Sequence, residues 1–126
     1  MIRYIEKCTG ANHNGPAWIG RVKKSKSGRT LYFNGKAFKR SQRAGSAGNH
    51  YDAGTGESYW ISGVKHDGRD RHWAGSGPIL IEAGVVDEYL QIIGADRLDL
   101  TKFQVVEVAS TDVASFHEQE NLPLRK

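Results

Sequence analysis

The chain has 126 residues, with 18 Lys and Arg against 14 Asp and Glu and a formal net charge of +4. That length suits one domain with a core of its own, and a single cysteine excludes an intrachain disulfide framework. The apolar runs are too short to cross a membrane, so no membrane partner is expected, and 15 glycines with 3 prolines suit a turn-rich, mainly β chain.

Met1 to Lys7 alternates as a first strand. Glu6 and Lys7 interrupt any leader-like apolar stretch, and with the lone Cys8 they point to a reducing cytoplasm. Cys8 has no base beside it in sequence and reads as a small, partly buried thiol. Residues Thr9 to Pro16 are loop-like by composition. Ala17 to Lys23 reads as a second strand, with Gly20 marking a bulge or a close approach. After the turn Ser25–Gly28 comes the clearest hairpin, Thr30–Phe33 and Lys36–Lys39 about Asn34-Gly35. A two-residue turn there pairs Phe33 with Lys36, Tyr32 with Ala37 and Leu31 with Phe38. Leu31, Phe33 and Phe38 then share a core face, and Tyr32 shares the outer face with Thr30 and Lys39.

The small, polar run Ser41–Gly48 leads into Tyr51–Ile81, which carries two further hairpin signals. One is the loop Ala53–Gly56 before the strand Glu57–Ser62; the other is Asp67-Gly68. A turn at Asp67-Gly68 places Trp60, Arg69, Arg71 and Trp73 on one face, and Tyr59, Ile61, Asp70 and His72 on the other. General burial tendencies favour the core for both tryptophans. On the opposite reading Trp60, Arg69, Arg71 and Trp73 form a candidate second face for stacking and cation–π contact. Pro78–Ile81 reads as a short buried strand. Val85–Ile93 has helical periodicity, acids Asp87 and Glu88 in its first turn, and Gly94 as its stop. Phe103–Val108 is a final strand. Residues 109–126 are expected to form a short helix, capped at Ser110-Thr111-Asp112, and a flexible tail.

The expected fold class is mainly β (α+β). It is a small antiparallel β-barrel or bent sheet of hairpins, six to eight strands, with one amphipathic helix between the last two. No nucleotide-binding glycine motif is present. His66 and His72 fall on opposite faces of their hairpin, so no metal site and no cofactor are expected.

Charge carries the functional expectation. Residues 1–51 hold 11 Lys and Arg against Glu6 alone, a net +10, whereas residues 52–126 hold 7 against 13 acids, a net −6. Such segregation suggests a positive face, unless strand pairing lets the two halves neutralise each other. The first reading is a non-catalytic module binding nucleic acid or another polyanion. Its contributors are Arg21, Lys23, Lys24, Lys26, Arg29, Lys36, Lys39, Arg40 and Arg43, with Tyr32 for stacking. The alternatives are a protein-sequestering partner of antitoxin or immunity type, and a small hydrolase using Asp70 and His72.

Overall fold

The computed structural model describes residues 1–8, 15–41, 48–67 and 77–111. These form a mostly β structure, a curled half-barrel sheet with one short helix near the C-terminal part. The strands are β1 (Ile2–Lys7), β2 (Ala17–Arg21), β3 (Lys23–Lys24), β4 (Thr30–Phe33), β5 (Lys36–Arg40), β6 (His50–Asp52), β7 (Ser58–Gly63), β8 (Ile79–Glu82) and β9 (Phe103–Val106). A 3₁₀ turn at Ala83–Val85 leads into α1 (Val86–Ile93), between the last two strands. The sheet order is β3-β4-β5-β6-β7-β1-β2-β8-β9. The described strands number nine, above the six to eight expected, because β3 and β6 are pieces of two or three residues that composition does not flag. The β2–β8 and β8–β9 pairs are parallel. A helix carrying the chain back over the sheet returns the next strand in the same direction, so β8-α1-β9 is a βαβ unit at one end of a mixed sheet whose pairs from β3 through β2 are antiparallel.

The curl originates at Val22. Only this residue separates β2, which pairs with β1, from β3, which pairs with β4. One nearly continuous strand therefore bends and serves both ends of a run of seven strands. Val22 donates its N–H to the Met1 carbonyl at 2.8 Å and is 2% exposed, so the bend stays hydrogen-bonded and buried. Gly20 makes the bend sterically feasible. A Cβ there would lie 2.2 Å from Cε1 of Phe33, a ring reaching over from β4. The expected close approach at Gly20 is thus real, as glycine at a barrel corner allows.

Apolar side chains pack on both faces of this sheet. On one face Ile2, Tyr4, Ala17, Ile19, Ile79 and Ile81 pack with Phe103 under Val85 and Tyr89. The Tyr89 and Phe103 rings are tilted, with centroids 5.6 Å apart. On the concave face Ile5, Val22, Leu31, Phe33, Phe38, Tyr59 and Ile61 form the second cluster, with Phe38 edge-on to Tyr59 at 4.7 Å. Strand β1 lies between the two and feeds Ile2 and Tyr4 to one, Ile5 to the other.

The Asn34-Gly35 hairpin has the expected register, Phe33 opposite Lys36 and Leu31 opposite Phe38. Asn34 and Gly35 take φ of 52° and 75°, the paired positive values of a type I′ turn. The segment after β9 ties onto this turn: Ala109 N–H donates to Asn34 Oδ1 at 2.8 Å, and Gly35 N–H donates to Thr111 Oγ1 at 2.7 Å. The helix begins within a residue of expectation and ends at Gly94 in the left-handed region, φ 70°. The expected Asp67-Gly68 hairpin, with Arg69, Asp70, Arg71, His72 and Trp73, lies outside the described residues beyond Asp67. So do Arg43 and the helix and tail expected after Thr111.

Gly35→Val is expected to destabilise the protein by about 1–3 kcal/mol, since a β-branched residue resists positive φ. Urea denaturation measures this, and an unchanged midpoint would contradict the turn's role in holding the hairpin.

Candidate nucleic-acid interface

The turn after β3 brings Arg29 beside the end of β5. Gly28 adopts φ 75° and donates its N–H to the Ser25 carbonyl at 2.9 Å, while Ser25 N–H donates to Thr30 O. The chain thus reverses tightly and leaves Arg29 exposed at the start of β4. On β5, Lys39 lies opposite Thr30 on one side and Tyr51 of β6 on the other. These residues line an open cleft of about 890 Å³ with Arg40, Ser27 and Ser41. Among the described residues its wall carries three cations and no acid, and Tyr51 lines it too, 37% exposed. Cations beside an aromatic ring and hydroxyls are the groups that hold phosphates and a base.

The basic residues divide into two sets. Arg21 pairs with Glu88 of α1 at 2.6 Å and Lys36 pairs with the buried Asp52 at 3.2 Å, so acids of the second half neutralise both. Lys7 is likewise paired, with Glu57. Lys23, Lys24, Lys26, Arg29 and Arg40 are exposed, Lys39 is half-buried, and none has an ion-pair partner among the described residues. Lysines on a short edge strand such as β3 also discourage edge-to-edge pairing with another sheet. For Lys23 and Lys24 that is a sufficient physical role without any ligand.

Two aromatic expectations are corrected. Tyr32 does not face solvent: it is 2% exposed, and Thr30 and Ala37 on the same face of this hairpin are buried too. Both faces of β4 are covered, and Tyr32 lines a narrow cleft with Lys23 and residues Val108–Thr111. It is therefore unavailable for stacking. Trp60, expected in the core, is 48% exposed, whereas Tyr59 and Ile61 on the opposite face of β7 are buried. The apolar side of that strand is the one with the smaller residues, because it closes on Ile5 and Phe38 inside the curl. Trp60 keeps its place on the candidate second face, whose other members, Arg69, Arg71 and Trp73, lie outside the described residues.

Tyr51 was not singled out from the sequence. Its signal is its register opposite Lys39, which is hidden because the run Ser41–Gly48 between the strands has no pattern to carry alternation across. Behind Tyr51, His50 is buried. The Asn49 side-chain amide acts as a strand segment, accepting from Ile61 N–H and donating to Ile61 O, both at 2.8 Å. Its oxygen is thereby fixed as an acceptor, so His50 Nδ1, 2.8 Å away, carries the proton and donates to it. Burial, and then the charge of Arg40, hold His50 below its ordinary value. Burial pushes Asp52 up, but the Gly54 N–H and Lys36 outweigh it and hold the carboxyl below its ordinary range. Burial and the neighbouring Glu6 push the Cys8 thiol up, which opposes a nucleophilic role.

Among the described residues no three His, Cys, Asp or Glu side chains converge as metal ligands. No helix among them is long and apolar enough to cross a membrane. Asp70 and His72 lie outside the described residues. No protein-family model matches the chain, and no curated protein or solved structure matches it either.

His50 generates a pH prediction. Its folded value is depressed, so the unfolded chain binds more protons near neutrality. The stability due to neutral His50 is complete above the ordinary value of 6.5 and is lost as pH falls from there through the folded value. Asp52 begins to act only in the more acidic range below 3.8. The urea midpoint should fall between about pH 7.5 and about pH 5.5, and fall less in His50→Gln. An equal loss in both proteins would contradict this assignment.

Proposed function

We propose that the protein is a non-catalytic module that binds nucleic acid through its phosphates, at the cleft between the β3–β4 turn, β5 and β6. The observation that carries this reading is the grouping of Arg29, Lys39 and Arg40 around one open cleft with no acid among the described residues of its wall. Lys23, Lys24 and Lys26, exposed on the adjoining edge strand and turn, extend the positive surface. Phosphates neutralise such cations and release condensed counterions, so binding is sequence-tolerant and steeply salt-dependent. Tyr51 takes the stacking role that the buried Tyr32 cannot. The lone Cys8 suits the reducing cytoplasm, where we place the protein.

A protein-sequestering partner of antitoxin or immunity type is the second reading, and the exposed Trp60 favours it, because large aromatic anchors concentrate binding energy in protein interfaces. Salt separates the two, since an aromatic-anchored interface depends on it far less.

The triple variant Arg29→Glu, Lys39→Glu, Arg40→Glu should lose retention on an anionic matrix, with little change in melting temperature. Single substitutions of these residues by Gln should each reduce the slope of log affinity against log salt by about 0.7 for a single-stranded ligand. Unchanged affinity in the triple variant would remove the cleft from the proposal.

A further inference from the structure

Resting on the reading above, the geometry points to a ligand that is single-stranded, its bases stacking on Tyr51 and Trp60 while its phosphates run into the cleft at Lys39, Arg29 and Arg40. Tyr51 of β6 lies opposite Ser58 of β7. Trp60 follows Ser58 by two residues and so stands on the same face of the sheet, diagonal to Tyr51. Tyr51 and Trp60, 37% and 48% exposed, are the exposed large aromatic side chains of the described residues. Both fall on this one face. Lys39 pairs with Tyr51 from the other side. A row across β5, β6 and β7 therefore passes from cation to ring to ring, continuous with the charged cleft.

Two features select the ligand class. Diagonal positions on neighbouring strands are about 7–8 Å apart. Successive bases in a duplex are stacked about 3.4 Å apart, so neighbouring bases meet neighbouring rings here only when unstacked from each other, as in an extended single strand. The second feature is charge. Glu6, the residue opposite Trp60 on β1, is 3% exposed and accepts the Tyr4 hydroxyl, so its carboxylate is buried and occupied rather than presented to a ligand on this face. Phosphates therefore meet cations at one end of the row and no exposed carboxylate at the Glu6 position. The same face of β1 and β2 is covered by α1, which ends the open surface beyond β7 and confines the row to three strands. A span of that width suits a few nucleotides.

The test uses the full chain with three probes: a labelled oligothymidylate of about 12 nucleotides, a blunt duplex of the same length, and inorganic polyphosphate, which has charge but no bases. Tyr51→Ala and Trp60→Ala are each expected to weaken binding of the single strand about tenfold, and to leave polyphosphate affinity and melting temperature unchanged. Tyr51→Phe should retain single-strand affinity, and the wild-type protein should prefer the single strand to the duplex. If both alanine variants keep their single-strand affinity, or the duplex binds as tightly, the stacking inference is wrong while the cleft reading stands. If wild-type protein binds none of the three probes, the cleft reading falls with it, and Trp60 belongs to a protein interface.

Discussion

The bend at Val22 is the feature from which the rest of the structure follows. A strand paired with β1 over Ala17–Arg21 can become the partner of β4 at Lys23–Lys24 only if the sheet curls back on itself. The curl requires that Phe33 come down onto β2, and the absence of a side chain at Gly20 makes that contact possible. With the corner formed, Leu31, Phe33 and Phe38 are sealed against Ile5, Val22, Tyr59 and Ile61. The same corner leaves β3 as a two-residue edge and swings the Ser25–Gly28 turn over the end of β5, so the position of Arg29 beside Lys39 and Arg40 follows from a packing constraint inside the sheet.

The opposite face is treated unequally along the sheet. Helix α1 packs over β1, β2 and β8 through Val85 and Tyr89 and buries that limb. Over β6 and β7 the same face is open to water at Tyr51 and Trp60, and it is there that the proposed ligand surface lies. Charge follows this division. Glu88 on the helix and Asp52 inside the curl neutralise Arg21 and Lys36, while the cations at the far edge keep no acidic partner among the described residues. Exposed ion pairs of the Arg21–Glu88 kind add little stability, so their main effect is on the field: they remove Arg21 from the set of unneutralised cations.

What was legible in the sequence was local. Asn34-Gly35 demands positive φ at two successive residues, and Val85–Ile93 repeats its apolar residues at the helical period, so neither depends on distant contacts. Gly20 was legible as a close approach but not as a contact with Phe33, which is thirteen residues along the chain. Alternation correctly sorted Tyr32 from Leu31 and Trp60 from Ile61, yet it says nothing about whether a face is wet. Tyr32 is buried although its face reads as polar, and Trp60 is exposed although tryptophan is usually inside. Both outcomes depend on the curl of the whole sheet. The cleft was half legible: the charge imbalance marked the basic segment, but which cations stay unpaired depends on Glu88 and Asp52, far along the chain or across a strand.

A double-mutant cycle at the corner tests the central claim most directly. Gly20→Ala forces a methyl group into the space of the Phe33 ring and should destabilise the wild-type protein by about 1–3 kcal/mol. In a Phe33→Leu background, where no ring edge reaches Gly20, the same substitution should cost much less. The difference between the two costs, read from urea denaturation, is the coupling energy. A large coupling is the predicted result, and an identical cost in both backgrounds would contradict the account of how the sheet curls.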